Sequence, residues 1–81
     1  MPAQKVTKEQ RCYREIKAAM ALKDLTCDKL AKKVGAKSGQ RVSDWRKNIY
    51  RVTPDKILLM SSVLGINIFD IMEKYWKEEK A

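Results

Sequence analysis

The side chains in this sequence that could do chemistry are basic ones, together with a short polar row at Gln40, Arg41, Ser43 and Asp44. Histidine is absent, and the two cysteines, Cys12 and Cys27, stand far apart in the chain. With no histidine to act as a base near neutral pH, no glycine-rich phosphate loop and a core too small to leave much room for a pocket, catalysis is disfavoured and an enzyme is not expected. Two cysteines without histidine cannot supply the four ligands of a zinc site, and the carboxylates are too scattered for a hard-metal cage. No cofactor is expected, and the cysteines read as reduced thiols that serve as small hydrophobes. What the residue types do allow is recognition of a polyanion.

The charge supports that chemistry. A net charge of +8 and a pI near 9.7 attract polyanions, and binding them releases their counterions. The charge is unevenly spread: residues 1–51 carry 14 basic and 5 acidic side chains, a balance of +9, whereas residues 52–81 carry 4 and 5, a balance of −1. Nucleic acid is the first candidate partner and a membrane surface the second. The second is weaker, because the cations gather around one turn and not along a continuous basic amphipathic helix. No run of residues is apolar enough for a membrane span, and Met1-Pro2-Ala3-Gln4 lacks the apolar core of a signal peptide, so a cytoplasmic location is expected.

The elements that must position these residues are all helical. At 81 residues the chain has room for one core, hence one domain. Proline occurs only at 2 and 54, glycine only at 35, 39 and 65, and no stretch alternates with period two. Thr7 and Gln10 form a capping box for a first helix running to about Ala21, with Val6 placed as a hydrophobic staple and Tyr13, Ile16 and Met20 facing inward. Thr26 caps a second helix, Cys27 to Val34, which stops at Gly35. Ser38 opens a third, Gly39 to about Asn48, whose buried positions are Val42, Trp45 and Ile49. Thr53, Pro54 and Asp55 start a fourth that ends before Gly65. Asn67 and Asp70 start a fifth, carrying Ile68, Ile71, Met72 and Tyr75. The predicted domain spans 6–78, with flexible ends at 1–5 and 79–81 and fraying of the tail from Lys77.

Helices two and three are short, joined by a glycine-containing turn, and the second of them shows a polar row outward. This is a helix-turn-helix layout at about 26–48, in which one helix braces the duplex backbone and the next lies in the major groove. Through Leu25-Thr26, Leu30-Ala31, Val34-Gly35, Val42, Trp45, Ile57, Met60, Leu64-Gly65-Ile66 and Ile71, the chain resembles the Cro and repressor family, the lambda-repressor-like or XRE-type helix-turn-helix, over roughly residues 13–75. The resemblance implies a compact all-α, five-helix lambda-repressor-like domain. Three departures stand out against the family pattern. The turn Gly35-Ala36-Lys37-Ser38 holds one extra residue, Cys27 replaces a phosphate-binding glutamine, and Met20 and Arg46 occupy the places of an arginine–glutamate pair. Because both members of that pair are replaced together, Arg46 is expected to be free to face phosphate.

The resemblance further implies that Gln40, Arg41 and Asp44, with Gly39 and Ser43 beside them, read base edges. Arginine can bond bidentately to guanine, glutamine to adenine, and aspartate can accept from cytosine. Asp44 has an equal alternative, which is to orient Arg41 three residues before it. Backbone contacts are expected from Thr26 at the start of the second helix and from Lys29, Lys37, Arg46, Lys47, Asn48, Tyr50 and Arg51. Trp45, spaced from Val42 as a helix core residue, is expected to be buried.

Leu59, Phe69, Met72 and Trp76 form an apolar set beside the core-facing stripe, and such a set marks an interface; the alternative is that Trp76 folds back over the first helix. The expected function is a sequence-specific DNA-binding transcriptional regulator, a small repressor of phage or bacterial type that binds a palindromic operator as a homodimer. The alternative is an antitoxin-type interaction module on the same fold, to which a chain without an added neutralising segment is less suited. No small-molecule ligand is evident.

Overall fold

The computed structural model describes residues 6–80. Five helices follow one another, α1 (Lys8–Leu22), α2 (Cys27–Val34), α3 (Gly39–Lys47), α4 (Pro54–Leu64) and α5 (Ile68–Lys80), with a single 3-10 turn, Ile49–Arg51, between α3 and α4. No strand occurs among the described residues, and the architecture is the all-α lambda-repressor-like one. The expected flexible end at 1–5 lies outside the described residues.

Local signals start and stop the helices much as the sequence predicts. Thr7 Oγ1 accepts from the Gln10 N–H at 3.2 Å while Gln10 Oε1 accepts from the Thr7 N–H at 3.0 Å, a complete capping box. Val6 does not act as the expected staple: the N4 residue it would pack on is Arg11, and Val6 instead borders a shallow cleft with Arg11, Arg14 and Tyr75. Thr26 accepts from the Lys29 N–H at 3.2 Å. Gly35 ends α2 in the left-handed region at φ 74°, and the Ala36 N–H bonds back to the Ala31 carbonyl at 2.8 Å, closing a Schellman turn that a Cβ would strain. Ser38 stands at the N-cap of α3 but makes no side-chain cap bond. Pro54 opens α4, and the Thr53 hydroxyl holds the Asp55 carboxyl below the usual carboxylate range.

The core gathers Cys12, Ile16, Ala19 and Met20 of α1, Leu30, Ala31 and Val34 of α2, Val42 of α3, Ile49 of the 3-10 turn, Ile57, Met60 and Leu64 of α4, and Ile68 of α5. Each helix gives up one narrow stripe at three- and four-residue spacing, so the opposite faces stay largely polar, with Leu22, Leu58, Leu59, Phe69 and Trp76 as exposed exceptions. Ile49 is fully buried, but it belongs to the 3-10 turn and not to α3, which ends at Lys47. Buried Ser61 closes the seam between α4 and α5. Its hydroxyl donates to the Ile57 carbonyl at 2.8 Å and accepts from the Ile68 N–H at 3.2 Å, satisfying a buried donor at the start of α5. Asn67 Oδ1 takes the Asp70 N–H at 3.2 Å.

The end of α5, from Lys77 onward, packs beside the start of α1. The helix continues to Lys80 because α1 holds it: Glu79 accepts from the Lys8 N–H at 3.0 Å and pairs with its ammonium at 3.3 Å, and Glu78 pairs with Arg11 at 3.3 Å. Acidic side chains on α5 thereby meet the exposed N–H groups and cations of the first turn of α1.

Candidate nucleic-acid interface

Helix α3 carries the candidate reading row. Gln40, Arg41, Asp44, Lys47 and Asn48 are all exposed. Gln40 Nε2 donates to Asp44 Oδ1 at 3.1 Å, one turn along the helix. Arg41 has no carboxylate within ion-pair distance among the described residues, so Asp44 does not orient it. The guanidinium is left with its donors open, while Asp44 and Gln40 are already joined into one polar unit.

Two members of the expected row stand apart. Gly39 is buried, and a Cβ there would collide with the Asp28 side chain and lie 3.0 Å from the Asp28 N–H nitrogen. Its part is therefore to let the start of α3 pack closely on the first turn of α2, and it does not reach outward to a base. Ser43 is half-buried on the same side as Gly39 and Val42, since positions 39, 42, 43 and 46 share one helix face. The row that faces outward is Gln40, Arg41 and Asp44.

Among the expected backbone contacts, Thr26, Lys29, Lys37, Lys47, Asn48 and Arg51 are exposed, and none of the cations among them has a carboxylate partner among the described residues. Thr26 sits at the start of α2 with the open amides of that turn. Cys27 beside it is half-buried, its side chain packed against the core.

Arg46 and Tyr50 turn inward, against expectation. The Arg46 guanidinium stacks 4.9 Å from the Tyr13 ring centroid, its Nη1 reaches Met20 Sδ at 3.6 Å, and its Nε is buried. The two positions that hold an ion pair in the resemblance thus still touch, but here the arginine is held by a ring and a thioether. Tyr50 Oη donates to the Met72 carbonyl at 2.7 Å and receives the Cys12 thiol at 3.5 Å. Both functions of the hydroxyl are spent inside the fold, and burial pushes the phenol well above its ordinary range. Burial likewise pushes the Cys12 thiol up.

The structure also brings in a residue that the sequence reading did not single out. Lys56, in the first turn of α4, lies with its ammonium 6.0 Å from the Trp45 ring centroid, facing a groove shared with Arg41, Asn48 and Arg51. Its sequence signal was only a cation just after the Thr53-Pro54 helix start. Trp45, expected to be buried, is half-buried and lines the same groove.

Of the apolar set, Leu59, Phe69 and Trp76 are exposed by 42%, 39% and 42%, while Met72 packs partly into the core. Trp76 leans toward α1 and the 3-10 turn, its ring centroid 5.8 Å from that of Tyr50 with the Lys8 ammonium 5.1 Å above it. Half of that indole is therefore already used within the monomer. Leu58, at 63%, is a further exposed apolar residue on α4.

Among the described residues there is no helix long and apolar enough to cross a membrane and no metal-holding cluster. No curated protein and no solved structure matches the chain. Residues 16–71 match the helix-turn-helix family, a span that runs from the core of α1 through the outward row of α3 to α5. With two thirds of its length matched and two short helices packed as described, the chain belongs to the helix-turn-helix family of XRE and Cro/repressor type, and is a DNA-binding regulator.

Proposed function

We propose that the protein is a sequence-specific repressor that lays α3 in the major groove of a palindromic operator, with Gln40, Arg41 and Asp44 toward the base edges. The observation that carries this reading is the free state of the cations around α2 and α3. Lys29, Lys37, Arg41, Lys47 and Arg51 have no carboxylate partner among the described residues, although the chain has ten acidic side chains to offer. Thr26 and Asn48 flank them with neutral donors. Such a set gains most from phosphates, whose neutralisation releases counterions.

One domain of this size reads too few base pairs to be selective in a genome, so two copies act together on half-sites one helical turn apart. Leu59, Phe69 and the outer edges of Met72 and Trp76 supply the two-fold contact. They lie in the near-neutral third of the chain, where self-repulsion is least. The repressor acts in the cytoplasm, by occupancy alone and without a small-molecule ligand.

Selection of bound duplexes from a random pool tests this reading. The expected result is a symmetric consensus whose half-sites lie one turn apart; an enriched pool without symmetry removes the dimeric operator. Leu59→Glu with Phe69→Glu is expected to give a folded monomer by sedimentation and circular dichroism, with weaker operator binding. These two positions are chosen because neither takes part in the ring contacts that hold Trp76.

A further inference from the structure

A groove of about 400 Å³ opens beside the outward row of α3, between α3, the 3-10 turn and the start of α4. Arg41, Asp44, Trp45, Asn48, Arg51 and Lys56 line it. Three of these are cations without carboxylate partners among the described residues, and the one acid, Asp44, already accepts from Gln40. The floor is the half-exposed Trp45. Its indole N–H has no hydrogen-bond partner among the described residues, and unlike Arg46 Nε it is not a buried orphan, so it is open to solvent. A buried tryptophan normally finds a partner for that donor; here the donor has none among the described residues, and the Lys56 ammonium lies 6.0 Å from the ring centroid.

We propose that Trp45 contacts DNA directly: its indole N–H and the Lys56 ammonium hold one backbone phosphate, and the exposed edge of the ring packs on the adjoining deoxyribose. This rests on the DNA-binding reading of α3. The occupant follows from the groove's chemistry. Cations and a neutral donor suit a phosphodiester oxygen, and the aromatic edge suits the apolar face of the sugar attached to it. The groove is also continuous with the outward row through Arg41 and Asp44, so a duplex whose major groove holds α3 brings its backbone past Trp45. Trp45 thereby links the core, through its packed half, to the duplex backbone, and sets how far α3 enters the groove.

The two tryptophans give two indole N–H signals in an amide correlation spectrum, and Trp45→Phe deletes one of them and so assigns both. A random-sequence duplex two helical turns long, at low salt, is the probe, and its binding is followed separately by anisotropy of a label on the DNA. The expected result is a downfield shift of the Trp45 indole proton with slowed exchange against water. Lys56→Gln should lower the log–log salt slope by about 0.9, the value for one phosphate, and Trp45→Phe should weaken binding roughly tenfold, the loss of one hydrogen bond to a charged group. Anisotropy that reports binding while the Trp45 indole keeps its shift and exchange rate overturns the proposal and leaves the DNA-binding reading standing, as does an unchanged slope for Lys56→Gln, a variant that leaves the core intact. Absence of binding at low salt overturns both.

Discussion

Lys8 and Arg11, at the start of α1, and the cations around α2 and α3 are employed in opposite ways. On α1, Lys8 pairs with Glu9 and Glu79, Arg11 pairs with Glu78, and both lie over aromatic rings, Lys8 over Tyr50 and Trp76 and Arg11 over Tyr75. Around α2 and α3, Lys29, Lys37, Arg41, Lys47 and Arg51 meet no acid among the described residues. The same residue types therefore fasten the start of α1 to α5 and leave the surface around α2 and α3 charged, as they also leave Arg14 and Lys17 farther along α1. A basic net charge says that a polyanion is welcome, but the pairing pattern says where, because a cation already neutralised by a carboxylate releases little on meeting a phosphate.

The largest effect expected from this contrast is on salt dependence. With roughly five to eight phosphates engaged per monomer, affinity for duplex DNA should fall on the order of a thousandfold or more between low and physiological salt. Titrations at several salt concentrations check it, and a slope near zero would break the comparison at its root.

Two substitutions of similar size divide the unpaired side of it by role. Arg41→Ala should cost about 1 to 3 kcal/mol of binding to the selected operator and relax preference at one base pair. Lys47→Ala should weaken all duplexes alike and reduce the salt slope by about one. Binding of both variants to operator and scrambled duplexes separates the roles, and equal losses for Arg41→Ala on both duplexes would take it out of the reading row. Ser61→Ala should leave DNA contacts untouched but cost about 1 to 3 kcal/mol of stability, because the Ile68 N–H loses its buried acceptor. Urea unfolding measures that loss.

Tyr50→Phe should cost about 1 kcal/mol at neutral pH through the lost bond to the Met72 carbonyl. Its pH dependence is more telling. The folded state raises the phenol pKa, so the neutral form is the one the fold favours. The stability linked to it is complete below the unfolded value of about 10 and declines as pH rises above it. The native protein should lose stability at alkaline pH more steeply than Tyr50→Phe, by thermal unfolding across that range; identical profiles would show that the phenol is not held neutral. Smallest of all, Arg11→Gln breaks an exposed pair and should change stability by less than about 1 kcal/mol, with no change in the salt slope. A loss of DNA affinity like that of Lys47→Ala would erase the distinction between paired and unpaired cations.

Much of the fold is legible because its signals act over three or four residues. Thr7 with Gln10, Thr26 with Lys29, Gly35, Pro54 and Asn67 with Asp70 each set a helix end by contacts within one turn, and the apolar stripes between them follow from helical period alone. The outward row of α3 is legible for the same reason, since residues 40, 41 and 44 share a face opposite Val42. Arg46, Tyr50 and Gly39 were misplaced because their partners are remote. Met20 is 26 residues from Arg46 and Met72 is 22 residues from Tyr50, and no local pattern says that a ring or a carbonyl will be waiting.

The sequence by itself determined a basic, all-helical domain, the ends of its helices, the two-helix layout with its outward polar row, and the surplus of positive charge in its first two thirds. Only the tertiary structure decided which of those charges stay free. Packing α5 across α1 brings Glu78 and Glu79 to the cations of the first turn, and packing α3 on α1 draws Arg46 onto Tyr13. The corner of α3 and α4 places Lys56 over Trp45 beside Arg41, Asp44, Asn48 and Arg51. The reason is physical: caps and periodicity are properties of neighbours along the chain, whereas the partner of a charge is whatever the folded backbone sets within a few ångströms of it.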